Sequence, residues 1–208
     1  MNVLVLVDIQ NDFCAGGALA VPDGDAVVPV ANALLDRFSL VVATQDFHPR
    51  DHGSFAANHP GKKPFEQIDL HGLPQVLWPV HCVQGTPGAS FHPRLRAERI
   101  AKVFPKGTDS TVDSYSGFFD NGRRKGTGLA DYLRERGAAR LVVLGLATDY
   151  CVRATVLDAL QLGFQVDLVG DGCRAVALAP GDGVRAIAEM AAAGGRIVVS
   201  TELGGEIA

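Results

Sequence analysis

The chain has 208 residues, with 19 Lys plus Arg against 23 Asp plus Glu and a formal net charge of −4 at pH 7. That length fits one domain spanning 1–208, and the acidic balance argues against nucleic acid as a partner. With 47% hydrophobic and 20% charged residues the chain is not mainly disordered, and no uncharged apolar run reaches the roughly 18–20 residues of a membrane span, so no membrane partner is expected.

Residues 2–7 form an apolar, β-branched run that ends at Asp8, the pattern of a strand buried on both faces. No positive leader precedes it, and Asp8, Asn11 and Asp12 interrupt the apolar stretch, so the expectation is a cytoplasmic protein rather than a secreted one. The four cysteines are widely scattered, which fits a reducing compartment better than a disulfide framework. Val27, Val30, Ala31 and Leu34 share one helical face, and residues 40–44 predict a second strand. From Asp46 to about Leu95 no convincing periodicity appears. Unpatterned stretches of that length are usually functional, and a loop region at about 45–98 is expected to hold metal and substrate. Residues 99–104 predict a third strand ending near Lys106, and 127–136 a helix stopped by Gly137. Strand 140–144, helix 149–162 stopped by Gly163, strand 165–169, helix 181–193 and strand 196–200 complete the chain. Alternating strands and helices predict an α/β fold with a parallel sheet, right-handed crossovers and helices on both faces.

In such sheets chemistry gathers beyond the carboxyl ends of the strands. Asp8, Lys106 and Cys151 all fall at such ends, which places an acid, an amine and a thiol on one rim. Cys151 should sit in the first turn of the helix that begins near Asp149, where unpaired amides and the helix dipole favour a thiolate and can bind an oxyanion. Asp8 could then accept the thiol proton, with Lys106 holding the carboxylate. Cys14, Cys82 and Cys173 have no evident base and read as structural thiols, with Cys173 in a turn after the fifth strand.

All six histidines lie between His48 and His92. Asp46 and His48 leave the second strand two residues apart and so point to one side, where a carboxylate and an imidazole can share a cation. His81, flanked by Pro79 and Val80, is the best third ligand, and His52 a candidate fourth that is kept outside the firm set. Two imidazoles and a carboxylate suit one divalent zinc, iron or manganese ion in a catalytic site. His59, His71 and His92 read as solvated or locally hydrogen-bonded.

At these residues the sequence resembles the nicotinamidase and pyrazinamidase group of the isochorismatase-like cysteine hydrolase family. The resemblance runs through Val7-Asp8-Ile9-Gln10-Asn11-Asp12-Phe13, Gln45-Asp46-Phe47-His48-Pro49, His52-Gly53-Ser54-Phe55 and Trp78-Pro79-Val80-His81-Cys82. It continues through Phe104-Pro105-Lys106-Gly107, Tyr115-Ser116-Gly117-Phe118 and Gly145-Leu146-Ala147-Thr148-Asp149-Tyr150-Cys151-Val152, so it covers nearly the whole chain. It implies a three-layer α/β/α fold with a six-stranded parallel sheet of Rossmann-type winding, and conversion of nicotinamide to nicotinate and ammonia in NAD salvage. It makes Asp8 the general base, Lys106 its electrostatic partner and Cys151 the nucleophile that forms a thioester. It further implies a cis peptide between Leu146 and Ala147, an oxyanion hole from the Ala147 and Cys151 amides, and a ring slot of Phe13, Trp78 and Tyr115. Asp46, His48 and His81 become the metal ligands, with zinc the first choice and iron or manganese the alternatives. Self-association into a homo-oligomer is left open. Two rival readings stand beside this one: a sister amidohydrolase acting on a carbamoyl or ureido substrate, and a non-catalytic metal-binding protein on the same fold. A true isochorismatase is disfavoured, because its ether-cleaving chemistry does not require the cysteine.

Overall fold

A computed structural model of the chain describes residues 1–203. Its main sheet has six parallel strands in the order β5-β2-β1-β6-β7-β8, formed by β1 (Asn2–Val7), β2 (Val41–Asp46), β5 (Lys102–Lys106), β6 (Arg140–Leu146), β7 (Gln165–Arg174) and β8 (Arg196–Val198). A separate two-stranded hairpin joins β3 (Gln67–Leu70) to β4 (Leu73–Val76). Val3 to Val7 of β1 are wholly buried, as a central strand of a doubly covered sheet requires. Helix α1 (Val27–Leu35) packs on β1, β6 and β7, while α3 (Arg153–Gln161) and α4 (Asp182–Ala192) pack on each other and on β7 and β8. The short α2 (Leu129–Glu135) precedes β6, ending before Gly137 at φ 67°.

From β1 the chain winds outward through β2 to β5, then returns to the other side of β1 and winds through β6, β7 and β8. The strand order therefore reverses between β1 and β6, where doubly wound sheets open a crevice at the strand carboxyl ends. Asp8 leaves β1 and the segment carrying Cys151 leaves β6, so the two flank this point. Lys106 ends β5 and Asp46 ends β2, and the two are register partners.

Four expectations change. The third main-sheet strand starts at Lys102 rather than residue 99, because Ala97–Arg99 forms a tight 3-10 turn. It is an edge strand, which is where Pro105 can be accommodated. The helix expected from residue 149 begins with a π-helical turn, Thr148–Val152, and becomes α-helical at Arg153. Strand β7 runs on past Val169 to Arg174 beside a register shift in β6, so Cys173 is a strand residue and not part of a turn. The β3–β4 hairpin falls inside the unpatterned stretch. Its strands are four residues each and mostly not buried, so they carry no alternating signal, but its turn at His71 and Gly72 has φ 51° and 88°, the positive pair that suits a two-residue hairpin loop. Among the described residues no helix is long and apolar enough to cross a membrane.

Asp167 cross-links three strands: its buried carboxylate accepts from Arg140 of β6 at 2.7 Å and from Arg196 of β8 at 2.9 and 2.7 Å. Burial alone would raise its pKa, but the Arg196 and Arg140 guanidiniums outweigh this and hold it below the ordinary 3.8. A depressed carboxylate stabilises the fold above its unfolded pKa, and that contribution is lost as pH falls. Asp167→Asn should cost about 2 kcal/mol at pH 7 by urea denaturation, and the gap from the parent should narrow as pH drops through the carboxylate range.

Candidate active site

The rim of the sheet is built around Lys106, whose side chain is fully buried. Its Nζ donates to Asp46 Oδ1 at 2.5 Å, to the Ser114 carbonyl at 3.0 Å and to Cys151 Sγ at 3.3 Å. Asp8 Oδ2 lies 2.9 Å away. Burial opposes charge on the lysine, yet Asp46, Asp8 and Cys151 together push its pKa well above the ordinary value, so it stays an ammonium. Asp8 follows β1 with φ 48°, a left-handed conformation that Asp tolerates better than most residues. Thr44 donates to Asp8 Oδ1 at 2.7 Å, while the buried Oδ2 faces the Lys106 ammonium. A carboxylate oxygen of Asp8, one of Asp46 and Cys151 Sγ all lie within 4.8 Å of one another. A lysine-paired carboxylate is thus poised near a thiol.

The thiol itself departs from expectation. Burial pushes Cys151 well above its ordinary pKa; Lys106 pulls it down, but Asp8 and Asp46 push it further up. Two carboxylates around one ammonium already leave an excess negative charge, and a resting thiolate would add another. The proton therefore stays on sulfur until a base removes it. Burial also raises Asp8 despite Lys106, which makes its carboxylate a stronger base. Burial also pushes up the other thiols, Cys14 to about 11, Cys173 to about 12 and Cys82 well above the ordinary value. The Leu146–Ala147 peptide is cis, as the resemblance implies.

Asp46 divides its carboxylate between two neighbourhoods. While Oδ1 meets Lys106, Oδ2 lies 3.3 Å from His48 Nε2 and 3.5 Å from His81 Nε2. His48 Nδ1 donates to the Gly107 carbonyl and His81 Nδ1 to the Pro79 carbonyl, each at 2.8 Å. In the neutral ring this leaves the lone pair on Nε2, the arrangement that second-sphere partners give to metal-binding histidines. Ligand atoms about 2.0–2.1 Å from a tetrahedral ion sit about 3.4 Å apart, so the observed spacings fit a divalent metal. His52 stands beside His48, with ring centroids 4.4 Å apart, but differs in its bonding. Burial and His48 hold it below its ordinary pKa against Asp113, so it is neutral. Its Nδ1 meets the Ser54 hydroxyl at 2.7 Å and the Ser54 N–H at 3.2 Å, while its buried Nε2 has no hydrogen-bond partner among the described residues. His59 bonds locally to the Gly53 carbonyl as expected, whereas His92 pairs with distant Asp25.

An apolar cleft opens beside these groups. Phe13, Trp78 and Tyr115, the three expected ring-slot residues, line it together with Tyr150, and Asp46, His81 and Cys151 lie along it. The Trp78, Tyr115 and Tyr150 rings meet edge to face at 4.8–6.4 Å.

An isochorismatase domain matches residues 2–202. The chain belongs to the isochorismatase family. Within that family it is similar to the nicotinamidase of Escherichia coli, at 57% identity over 93% of this chain and 92% of that one. It resembles the structure of an Acinetobacter baumanii nicotinamidase and pyrazinamidase with a TM-score of 0.94, 45% identity and 98% of each chain covered. The pyrazinamidase of Pyrococcus horikoshii in complex with zinc matches with a TM-score of 0.78 and 40% identity, over 95% of this chain and 98% of that one.

Several residues of this isochorismatase-family site escaped the sequence reading. Thr44 was detectable, because it lies two residues before Asp46 on the same face of β2. Gln10 was not: its side-chain amide accepts the Asp46 N–H and donates to the Asp46 carbonyl, each at 2.8 Å, a clamp that only tertiary packing creates. Gly107 has φ 61°, and a Cβ there would lie 2.3 Å from His48 Cε1 and 2.6 Å from Nδ1. Gly107→Ala should therefore displace His48 and weaken divalent-metal affinity by about tenfold or more, measured by chelator competition on protein whose circular dichroism is unchanged.

Proposed function

We propose that the chain is a nicotinamidase, a cysteine amidohydrolase that converts nicotinamide, and pyrazinamide with it, to the free acid and ammonia. The observation that carries this reading is the meeting of Cys151, Lys106 and Asp8 at one end of an aromatic cleft whose Asp46 is shared with two histidines. The high identity to an E. coli nicotinamidase along almost the full length of both chains supports it. In this mechanism Asp8 Oδ2 takes the Cys151 proton as sulfur attacks the carboxamide carbon. Lys106 compensates the negative charge that passes from Asp8 to sulfur and keeps the two carboxylates ionised side by side. The Ala147 and Cys151 amides receive the oxyanion. Collapse of the tetrahedral adduct breaks the C–N bond, with the proton held on Asp8 going to the leaving nitrogen, so ammonia departs and a thioester remains. Asp8 then deprotonates water, which attacks the thioester, and the thiol is regenerated.

Phe13, Trp78 and Tyr115 hold the aromatic ring, which fixes the carboxamide carbon over sulfur and so converts attack into a positioned event. Asp46, His48 and His81 would hold one divalent ion; the donor set suits zinc, iron or manganese, and the zinc complex of the Pyrococcus horikoshii pyrazinamidase supports zinc first. Such an ion supplies a Lewis-acid position able to anchor the ring nitrogen. A carbamoyl or ureido amidohydrolase would use the same three catalytic residues but has no use for that anchor. Ammonia release should accordingly be found with nicotinamide and pyrazinamide and fall sharply on chelation; a chelator-insensitive enzyme that prefers ureido substrates would reverse the assignment. Cys151→Ala should reduce ammonia release from nicotinamide by more than about a thousandfold with metal content unchanged, and retained turnover would remove Cys151 as nucleophile.

A further inference from the structure

The β3–β4 hairpin stands outside the main sheet, yet it contributes one buried polar side chain, Gln75, only 3% exposed. The two N–H bonds of its amide serve three acceptors: the Val76 carbonyl at 2.7 Å, Asp113 Oδ2 at 2.9 Å and the Tyr115 hydroxyl at 3.2 Å. The Tyr115 hydroxyl also accepts from Trp78 Nε1 at 3.1 Å. One phenol oxygen is therefore the common acceptor for an indole on one side and the hairpin amide on the other. Asp113 is held in turn through Oδ1 by the Ser114 N–H, and the Ser114 carbonyl accepts from Lys106. Gln75 touches none of the reacting groups. It ties the aromatic wall of the cleft to a segment that the sheet does not fix.

From this we infer that Gln75 is a positioning residue that locks Tyr115 and Trp78 into the wall of the ring slot, so that affinity for the ring depends on the β3–β4 hairpin. The physical reason is preorganisation: rings already held in one rotamer lose little freedom when a flat ligand enters, whereas an unlocked phenol and indole must be ordered at the cost of binding. Removing the amide also leaves buried acceptors on Asp113 and Tyr115 one donor short, which favours their rearrangement. The ligand named in the test rests on the nicotinamidase reading; the lock itself does not.

The chain has a single tryptophan, Trp78, so its emission reports on this wall without any need for turnover. Two variants are compared with the parent: Gln75→Leu, which removes the amide, and Gln75→Asn, which keeps it one methylene short and guards against a folding failure of the first. The nicotinamide KM should rise about tenfold in Gln75→Leu and less in Gln75→Asn, with kcat within about twofold and bound metal unchanged. Acrylamide quenching of Trp78 should increase in both. The Gln75→Leu/Tyr115→Phe double variant should be little worse than Tyr115→Phe alone, because both changes remove one lock. Unchanged KM and quenching in a folded variant would overturn the inference, as would a loss confined to kcat, which would place the effect at Lys106 through Asp113 and Ser114. If the parent releases no ammonia from nicotinamide, the functional reading fails, while Trp78 quenching in the two variants still decides the lock.

Discussion

A lysine ammonium with no access to water organises this molecule. Taking such a charge out of solvent costs several kcal/mol even after relaxation, and Lys106 sustains it only because Asp8 and Asp46 converge on it from β1 and β2 while the Ser114 carbonyl and Cys151 sulfur complete its surroundings. The constraint acts in both directions. Two carboxylates this close would repel without the cation, and the cation would not stay charged without both of them. Burial sets the resting state of the thiol, and the two carboxylates add to it against the pull of Lys106, so Cys151 is held well above its ordinary pKa. Reactivity on demand follows from that balance better than from a permanently ionised sulfur.

Asp46 is the hinge between the two halves of the site. One of its oxygens belongs to the lysine cluster and the other faces His48 and His81, so the carboxylate that stabilises the ammonium also completes the proposed metal-binding triad. A small displacement of Asp46 would disturb both. The fold answers with the Gln10 side chain, wholly buried, which grips the Asp46 backbone on both its N–H and its carbonyl. Gln10 and Asp8 come from the same exit of β1, and Asp12, two residues on, accepts the Cys82 N–H next to His81. The seven residues from Val7 to Phe13 thus supply the proposed base, a clamp on one metal-ligand position, an anchor beside another, and a wall of the cleft.

The aromatic cleft obeys a different logic. Its rings meet edge to face, and the Tyr115 hydroxyl accepts from Trp78 and Gln75. Buried polar networks of this kind rigidify only when every member is satisfied. The hairpin therefore acts as a brace, lending a buried amide to a wall that the main sheet does not reach.

Much of this was written in the order of the residues. The central strand, the six alternating β elements, the stop signals at Gly137 and Gly163, and the acid, amine and thiol at successive strand ends are all set by local chemistry: apolar runs must be buried, and glycine alone ends a helix cheaply in the left-handed region. The pairing of Asp46 with His48 also follows from the two-residue period of a strand. What the sequence could not carry were the contacts that join residues distant along the chain. The double duty of Asp46, the Gln10 clamp, the lowered pKa of His52, the raised pKa of the thiol and the Gln75 lock depend on burial and on which neighbours the strand order brings within about 3 Å. The hairpin lacks a pattern because its strands are short and largely uncovered, and a helix-start argument at Cys151 counts the dipole but neither burial nor the two carboxylates beside it. Residue type and spacing determined which groups reach the rim of the sheet; only the closed fold, by excluding water, determined their charges and their partners.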